Sequence, residues 1–201
     1  MKTPPRKLPR LPRKLSTTKL LLTDCKNPGD PSPGFFCYLC TAMDIRIGNG
    51  YDVHAIAAGL PMWLGGVQIP SDKGFVAHSD GDVAIHALCD ALLGCLALGD
   101  IGHLFPDTSD EWKGIDSKIL LKKVVALIHQ KGYRVGNVDI TIALQRPKLA
   151  PHIETMRQTL APILEVSPGR VSVKATTTEK LGFVGREEGC EVWASATVMA
   201  E

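Results

Sequence analysis

The chain has 201 residues, 44% hydrophobic and 22% charged, with a formal net charge of +2. That length suits one domain with a proper core. Residues 1–42 hold eight Lys/Arg against Asp24 and Asp30, a net +6, which leaves −4 for the rest. A mildly acidic body argues against nucleic-acid binding, and no apolar run approaches the roughly 18 residues of a membrane helix.

Half of the 14 prolines precede residue 43. The segment 1–42 lacks apolar periodicity and reads as a disordered, basic, Pro-rich extension ahead of a single folded domain, 43–201. Its Leu20-Leu21-Leu22 run is too short for a signal peptide. A dispensable extension is expected; an organelle transit peptide or a misassigned upstream start are the alternatives. Of the six cysteines, Cys37-x-x-Cys40 has no second pair for a zinc ribbon. Cys89 and Cys95 sit in an apolar run and read as reduced core residues of a reducing compartment.

Strand signals follow at Ile45–Asp52, then Met62–Gly65 and Val67–Ile69 across a Gly-Gly turn. A helix is expected over Asp80–Leu98, with Ser79 as its N-cap and Asp82 three residues on. Helices are expected at Ser117–Lys131, closed by Gly132 as a left-handed cap, and at Pro151–Leu164. Strands are expected at Asn137–Gln145, Arg170–Thr176 and Glu191–Met199. Strands interleaved with helices give an α+β (α/β) sandwich, one sheet with helices packed on one face.

Two imidazoles and a carboxylate stand out. On a strand of period two, Asp52 and His54 project from one face. On the following helix Asp82, His86 and Asp90 form a polar stripe at i, i+4 and i+8 of an apolar element. Asp52, His54 and His86 would make the three-ligand set of a catalytic zinc with an open position. An ordinary hydrogen-bonded core histidine is the competing reading.

Three further stretches carry chemistry. Asp100 to Thr108 is a loop combining carboxylates with an aromatic. Leu144-Gln145-Arg146-Pro147-Lys148-Leu149-Ala150-Pro151 leaves a strand with two prolines and two cations, stiff enough to read a base edge. Lys174 to Phe183 ends a strand in hydroxyls, an acid and a glycine, groups suited to phosphate oxygens. An exposed turn, a plain connector and a strand-favouring Thr run are the alternatives.

In combination these stretches resemble the 2-C-methyl-D-erythritol 2,4-cyclodiphosphate synthase family of the non-mevalonate isoprenoid pathway. The resemblance runs from about Ile45 to the C-terminus. It rests on Gly50-Tyr51-Asp52-Val53-His54, Ala77-His78-Ser79-Asp80-Gly81-Asp82, Asp100-Ile101-Gly102, Phe105-Pro106-Asp107-Thr108, Gln145-Arg146-Pro147-Lys148 and the stretch from Lys174 to Phe183.

The resemblance implies a phosphorus–oxygen lyase. The 2-phosphate of 4-diphosphocytidyl-2-C-methyl-D-erythritol 2-phosphate attacks the β-phosphorus of the same molecule, giving the cyclic diphosphate and CMP. No nucleophilic side chain is needed, so the protein positions and neutralises charge. By matching position Asp52, His54 and His86 would hold Zn²⁺, and Glu179 a Mg²⁺ or Mn²⁺ on the diphosphate. His78 and Thr177 would stabilise the transition state. His78 and Ser79 would bind phosphate at a helix N-terminus, with Thr176 and Thr178 beside the diphosphate. Asp100 and Gly102, flanking Ile101, would take ribose hydroxyls.

The backbone of Leu144, Gln145, Arg146, Pro147, Lys148, Leu149 and Ala150 would read cytosine. Phe105, Pro106, Asp107, Thr108 and Ser109 would line the methylerythritol pocket. Val53 belongs to the first motif, and Phe183 and Arg186 to the last. Asp82 and Asp90 would orient the zinc ligands or the helix. The family is homotrimeric with sites between subunits, acts on a small cytidine diphosphate substrate, and implies no nucleic-acid or membrane partner. The form of the Thr-Thr-Thr-Glu stretch favours cytoplasm over plastid.

Ser109 stands where many members carry Asp, and the last strand reads about two residues short of the family's usual length. Two rivals are a zinc-dependent phosphohydrolase acting on a nucleotide-linked substrate, and a metal-stabilised assembly module.

Overall fold

The computed structural model describes residues 44–106, 112 and 114–201. The expected extension, Cys37, Cys40, Asp107, Thr108 and Ser109 lie outside the described residues. Strand β1 (Ile45–Ala58) leads to β2 (Met62–Leu64), β3 (Val67–Ile69) and β4 (Lys73–Phe75). Helix α1 (Val83–Cys95), the short α2 (Ile101–Leu104) and α3 (Ser117–Gln130) precede β5 (Tyr133–Ala143). Helix α4 (Ile153–Ile163), β6 (Val171–Thr176), the short α5 (Gly182–Gly185) and β7 (Gly189–Ala200) complete the chain.

The main sheet has the order β4-β1-β7-β5-β6, with β2 and β3 as a separate hairpin. All neighbours are antiparallel except β5 and β6, joined in parallel through α4. The result is α+β with a mixed sheet. Helices α1, α3 and α4 bury Leu88, Leu92, Leu121, Ile128, Met156 and Leu160 in one core with Ile140, Ile142 and Val192. Burying each such side chain is worth about 1.5–3 kcal/mol over leaving it in water. The opposite sheet face leaves Ile47, Tyr51, Val53 and Trp193 exposed.

Two glycines set how α1 meets β1. A Cβ on Gly48 would sit 2.0 Å from the Ala91 carbonyl oxygen, and one on Gly50 2.0 Å from that of Ala87. Any side chain at either position would collide with helix backbone. The helix therefore rests directly on the strand that carries Asp52 and His54.

The expected elements are present with shifted ends. β1 extends past Asp52 because Ile56, Ala57 and Ala58 pair with β4, a three-residue strand that local pattern did not reveal. β5 begins at Tyr133 instead of Asn137, reaching past an irregularity between Val135 and Asn137. Gly132 closes α3 with φ +79°, the expected left-handed cap.

The start of α1 is a correction. The N-cap is Asp82, whose carboxylate accepts the Ile85 N–H at 3.0 Å, and Ser79 lies outside the helix. Asp82 also accepts the N–H groups of Gly65 and Gly66, 2.9 and 2.6 Å away, so it ties the β2–β3 turn to the helix. A fully buried carboxylate with three backbone donors in reach takes that position over a hydroxyl.

Candidate metal centre and adjoining clefts

Strand β1 turns Asp52 and His54 to the helix side, and α1 brings His86 against them from its first turn. The ligand atoms of the three residues lie within 4.8 Å of one another. His54 Nδ1 is 3.1 Å and His86 Nδ1 3.2 Å from Asp52 Oδ2. Both imidazoles are largely buried, and Phe75 stands edge-on to His54 with ring centroids 6.2 Å apart.

Burial pushes the Asp52 carboxyl up, but the two imidazoles outweigh burial and hold it at about 2. His54 Nδ1, close as it is to Asp52, is not aligned for a hydrogen bond and has no partner. A buried, unpartnered ring nitrogen beside a carboxylate and a second imidazole suits a divalent cation, and two nitrogens with one oxygen are zinc's usual donors at a three-ligand site.

His86 has a second set of neighbours. Its Nε2 is 3.0 Å from Ser117 Oγ and 3.1 Å from Ser79 Oγ. Ser117, fully buried at the first position of α3, donates through Oγ and N–H to the two oxygens of Asp80. Of the two roles expected of Asp82 and Asp90, orienting the metal ligands or the helix, Asp82 fills the second. Asp82 caps α1, and Asp90 accepts the Ile101 N–H at 2.7 Å, fixing the start of α2. Ser117 was missed because it lies 37 residues beyond Asp80, with no local spacing to betray the contact.

A cleft of about 360 Å³ opens on the cluster. His54, His78, Ser79, His86, Ile101, Gly102 and Phe105 line it, as does Trp112, which no motif had singled out. Trp112 packs edge-on to Phe105, centroids 5.2 Å apart. His78 and Ser79 lie in the turn ahead of α1, where Asp82 and neither of them accepts the Ile85 N–H. Asp100 caps α2 and lies 3.1 Å from His103 Nδ1. Pro106 is exposed. The Val53 side chain faces the far side of the sheet, leaving its backbone for any ligand on the Asp52 side.

The remaining expected residues form a different place. Leu144, Gln145, Pro147, Lys148, Leu149 and Ala150 line a 250 Å³ cleft with Thr176 and Thr177. Arg146 turns to a neighbouring cleft of 690 Å³, where it lies 3.5 Å from Glu187. Thr177 Oγ1 is 3.1 Å from Glu179 Oε1, and Thr178 donates to the Leu181 carbonyl. Glu179 and Lys180 both take left-handed backbone, φ +51° and +66°, which turns the chain sharply at the end of the threonine run. Arg186 pairs with Glu188, and Phe183 is half-buried. The metal cleft and the Leu144–Ala150 cleft share no lining residue.

Comparisons with known proteins give the family. The YgbB family model matches residues 45–199. The 2-C-methyl-D-erythritol 2,4-cyclodiphosphate synthase of Thioalkalivibrio sulfidiphilus is 64% identical over 155 residues, 77% of this chain and 97% of that protein. Among solved structures, the bifunctional IspDF of Campylobacter jejuni is 44% identical with a TM-score of 0.77, over 79% of this chain and 43% of that one. The IspF of Plasmodium falciparum, solved as a CDP complex, is 36% identical with a TM-score of 0.69, over 78% and 97%. With the family model matching residues 45–199 and the Thioalkalivibrio relative 64% identical over 97% of its length, the chain belongs to the YgbB family.

Proposed function

We propose that the protein is a 2-C-methyl-D-erythritol 2,4-cyclodiphosphate synthase, forming 2-C-methyl-D-erythritol 2,4-cyclodiphosphate and CMP in isoprenoid precursor synthesis. A 2-phosphate oxygen of 4-diphosphocytidyl-2-C-methyl-D-erythritol 2-phosphate forms a bond to its own β-phosphorus. The bond from that phosphorus to the CMP phosphate breaks, and CMP leaves with the electron pair. The observation that carries this reading is the convergence of Asp52, His54 and His86 on a cleft walled by His78, Ser79 and Phe105. The Ser79 hydroxyl lies 3.1 Å from His86 Nε2, but that imidazole is one of the three grouped ligands, and an intramolecular transfer needs no side-chain nucleophile.

Asp52, His54 and His86 would hold zinc, which when bound polarises a phosphoryl oxygen. His78 and Ser79 would hold the attacked phosphate, with His78 neutralising charge. Thr177 would do the same from the leaving side, and Glu179 would hold a Mg²⁺ or Mn²⁺ on the diphosphate. Asp100 and Gly102 would take ribose, the backbone of residues 144–150 cytosine, and the Phe105 side the methylerythritol. The matched P. falciparum protein carries CDP, which supports a cytidine pocket.

Two separate clefts in one chain suit a homotrimer in which the metal cleft of one subunit faces the base cleft of the next. The exposed Ile47, Tyr51, Val53 and Trp193 supply an apolar face for such packing. Residues 43–201 would be the catalytic domain and 1–42 a dispensable extension, with the cytoplasm as the site of action. Among the described residues no helix is long and apolar enough to cross a membrane. Phosphorus NMR of the protein with the cytidine diphosphate substrate tests the reading: a cyclic diphosphate with equimolar CMP supports it, and inorganic phosphate would indicate a hydrolase instead.

A further inference from the structure

We propose that Ser117, backed by Asp80, is a positioning residue that fixes the proton of His86 on Nε2 and so turns the Nδ1 lone pair toward the metal. This rests on the reading of Asp52, His54 and His86 as metal ligands. The argument is a count of hydrogens. A serine hydroxyl has one, and a carboxylate only accepts. Ser117 Oγ donates its hydrogen to Asp80 Oδ1, while the Ser117 N–H reaches Asp80 Oδ2 at 3.0 Å. Toward His86 Nε2, 3.0 Å away, Ser117 Oγ can then only accept. Ser117 therefore draws the proton to Nε2, against the pull of the Asp52 carboxylate on one at Nδ1.

Ser79 Oγ, 3.1 Å from the same nitrogen, does not decide the matter. It accepts the Gly81 N–H and keeps a hydrogen of its own. Were that hydrogen given to a bare Nε2, the Nε2 lone pair would face Ser117 Oγ, whose hydrogen is already used. With the proton on Nε2, the lone pair of a neutral imidazole lies on Nδ1, 3.2 Å from Asp52 Oδ2. Two acceptors face one another there, and a cation between them makes the arrangement favourable. A metal-bound histidine commonly gives its other ring N–H to such an outer partner, which fixes the tautomer and the ring plane.

The relay stands on paired backbone. The Gly114 N–H donates to the His78 carbonyl at 2.8 Å and the Asp80 N–H to the Ile115 carbonyl at 3.0 Å. Asp80 also accepts the Asp82 N–H, so the cap of α1 and the carboxylate behind Ser117 move as one unit. The start of α3 thereby holds a ligand carried on α1.

The test uses the full chain and three variants. Ser117→Ala removes the acceptor, Ser117→Thr keeps it, and Asp80→Asn lets an amide donate to Ser117 Oγ, freeing that hydrogen for His86. Zinc affinity is read by competition with a chelating dye, and the His86 tautomer by ring-nitrogen NMR of metal-free protein. Expected are an Nε2–H tautomer in the parent chain, zinc binding weaker by roughly 10–100-fold in Ser117→Ala, and recovery of most affinity in Ser117→Thr. Asp80→Asn shifts the ring toward Nδ1–H, and it reports on the relay even where Ser117→Ala fails to fold. Unchanged zinc affinity and an unchanged tautomer in both Ser117→Ala and Asp80→Asn would overturn the relay. A parent chain that binds no zinc would overturn the metal reading, while the metal-free spectrum would still decide where the His86 proton resides.

Discussion

Gly50 and Ala87 touch so closely that a Cβ on the glycine would lie 2.0 Å from the Ala87 carbonyl oxygen. Ala87 follows His86, and Gly50 precedes Asp52 by two residues on the same strand face. The contact therefore sets the distance between two elements that each carry ligands. Gly50→Ala should push α1 off the sheet, with an overpacking cost of about 1–3 kcal/mol. Zinc content after purification should fall with it. Denaturant melts and metal analysis on the variant check both effects.

Asp82 carries three backbone N–H groups from two elements, Gly65, Gly66 and Ile85. Asp82→Ala removes a helix cap and strands buried donors, for a loss of about 2–4 kcal/mol. A lower urea midpoint with an unchanged slope would show this as lost stability and not a changed denatured state. Asp82→Ala should cost more stability than Ser79→Ala, which leaves the cap intact.

The acid titration of Asp52 follows from its neighbours. Burial raises this carboxyl and the imidazoles of His54 and His86 lower it further, to about 2 in metal-free protein. A depressed folded value means that these contacts stabilise the fold above the ordinary carboxylate range near 3.8 and cease to do so as pH falls toward 2. Replacing both His54 and His86 by Ala leaves burial opposed only by the Val53 N–H, and Asp52 should then titrate higher than in the parent chain. Carboxyl-carbon NMR of the metal-free proteins reads the shift.

Much of this was legible in the sequence because it follows local period. The alternation of β1 placed Asp52 and His54 on one face, and the polar stripe on an otherwise apolar α1 singled out His86. What was not legible depends on pairing between distant segments. β4 exists through its pairing with the end of β1. Ser117 reaches His86 through a loop whose length carries no period. Asp82 outcompetes Ser79 as cap because the β2–β3 turn adds two donors that no local window contains. The division of the expected site into two clefts likewise depends on where the β5–α4 connection lies.

The composition of residues 1–42 offers little apolar surface to bury, and none of the expected site residues comes from it. A chain starting at Met43 should match the full chain in melting temperature and turnover. A large loss in either would assign the extension a part in folding or catalysis.

The most direct test of the divided site is subunit complementation. His86→Ala would lack the metal side of every site, and Glu179→Gln the leaving-group side, and each alone should form inactive trimers. If each site combines the metal side of one subunit with the other side from its neighbour, every mixed trimer contains one intact site. Random mixing should then restore about a quarter of the parent turnover of the cytidine diphosphate substrate. Mixed trimers, confirmed by two affinity tags, that stay as inactive as the two parents would contradict the shared site.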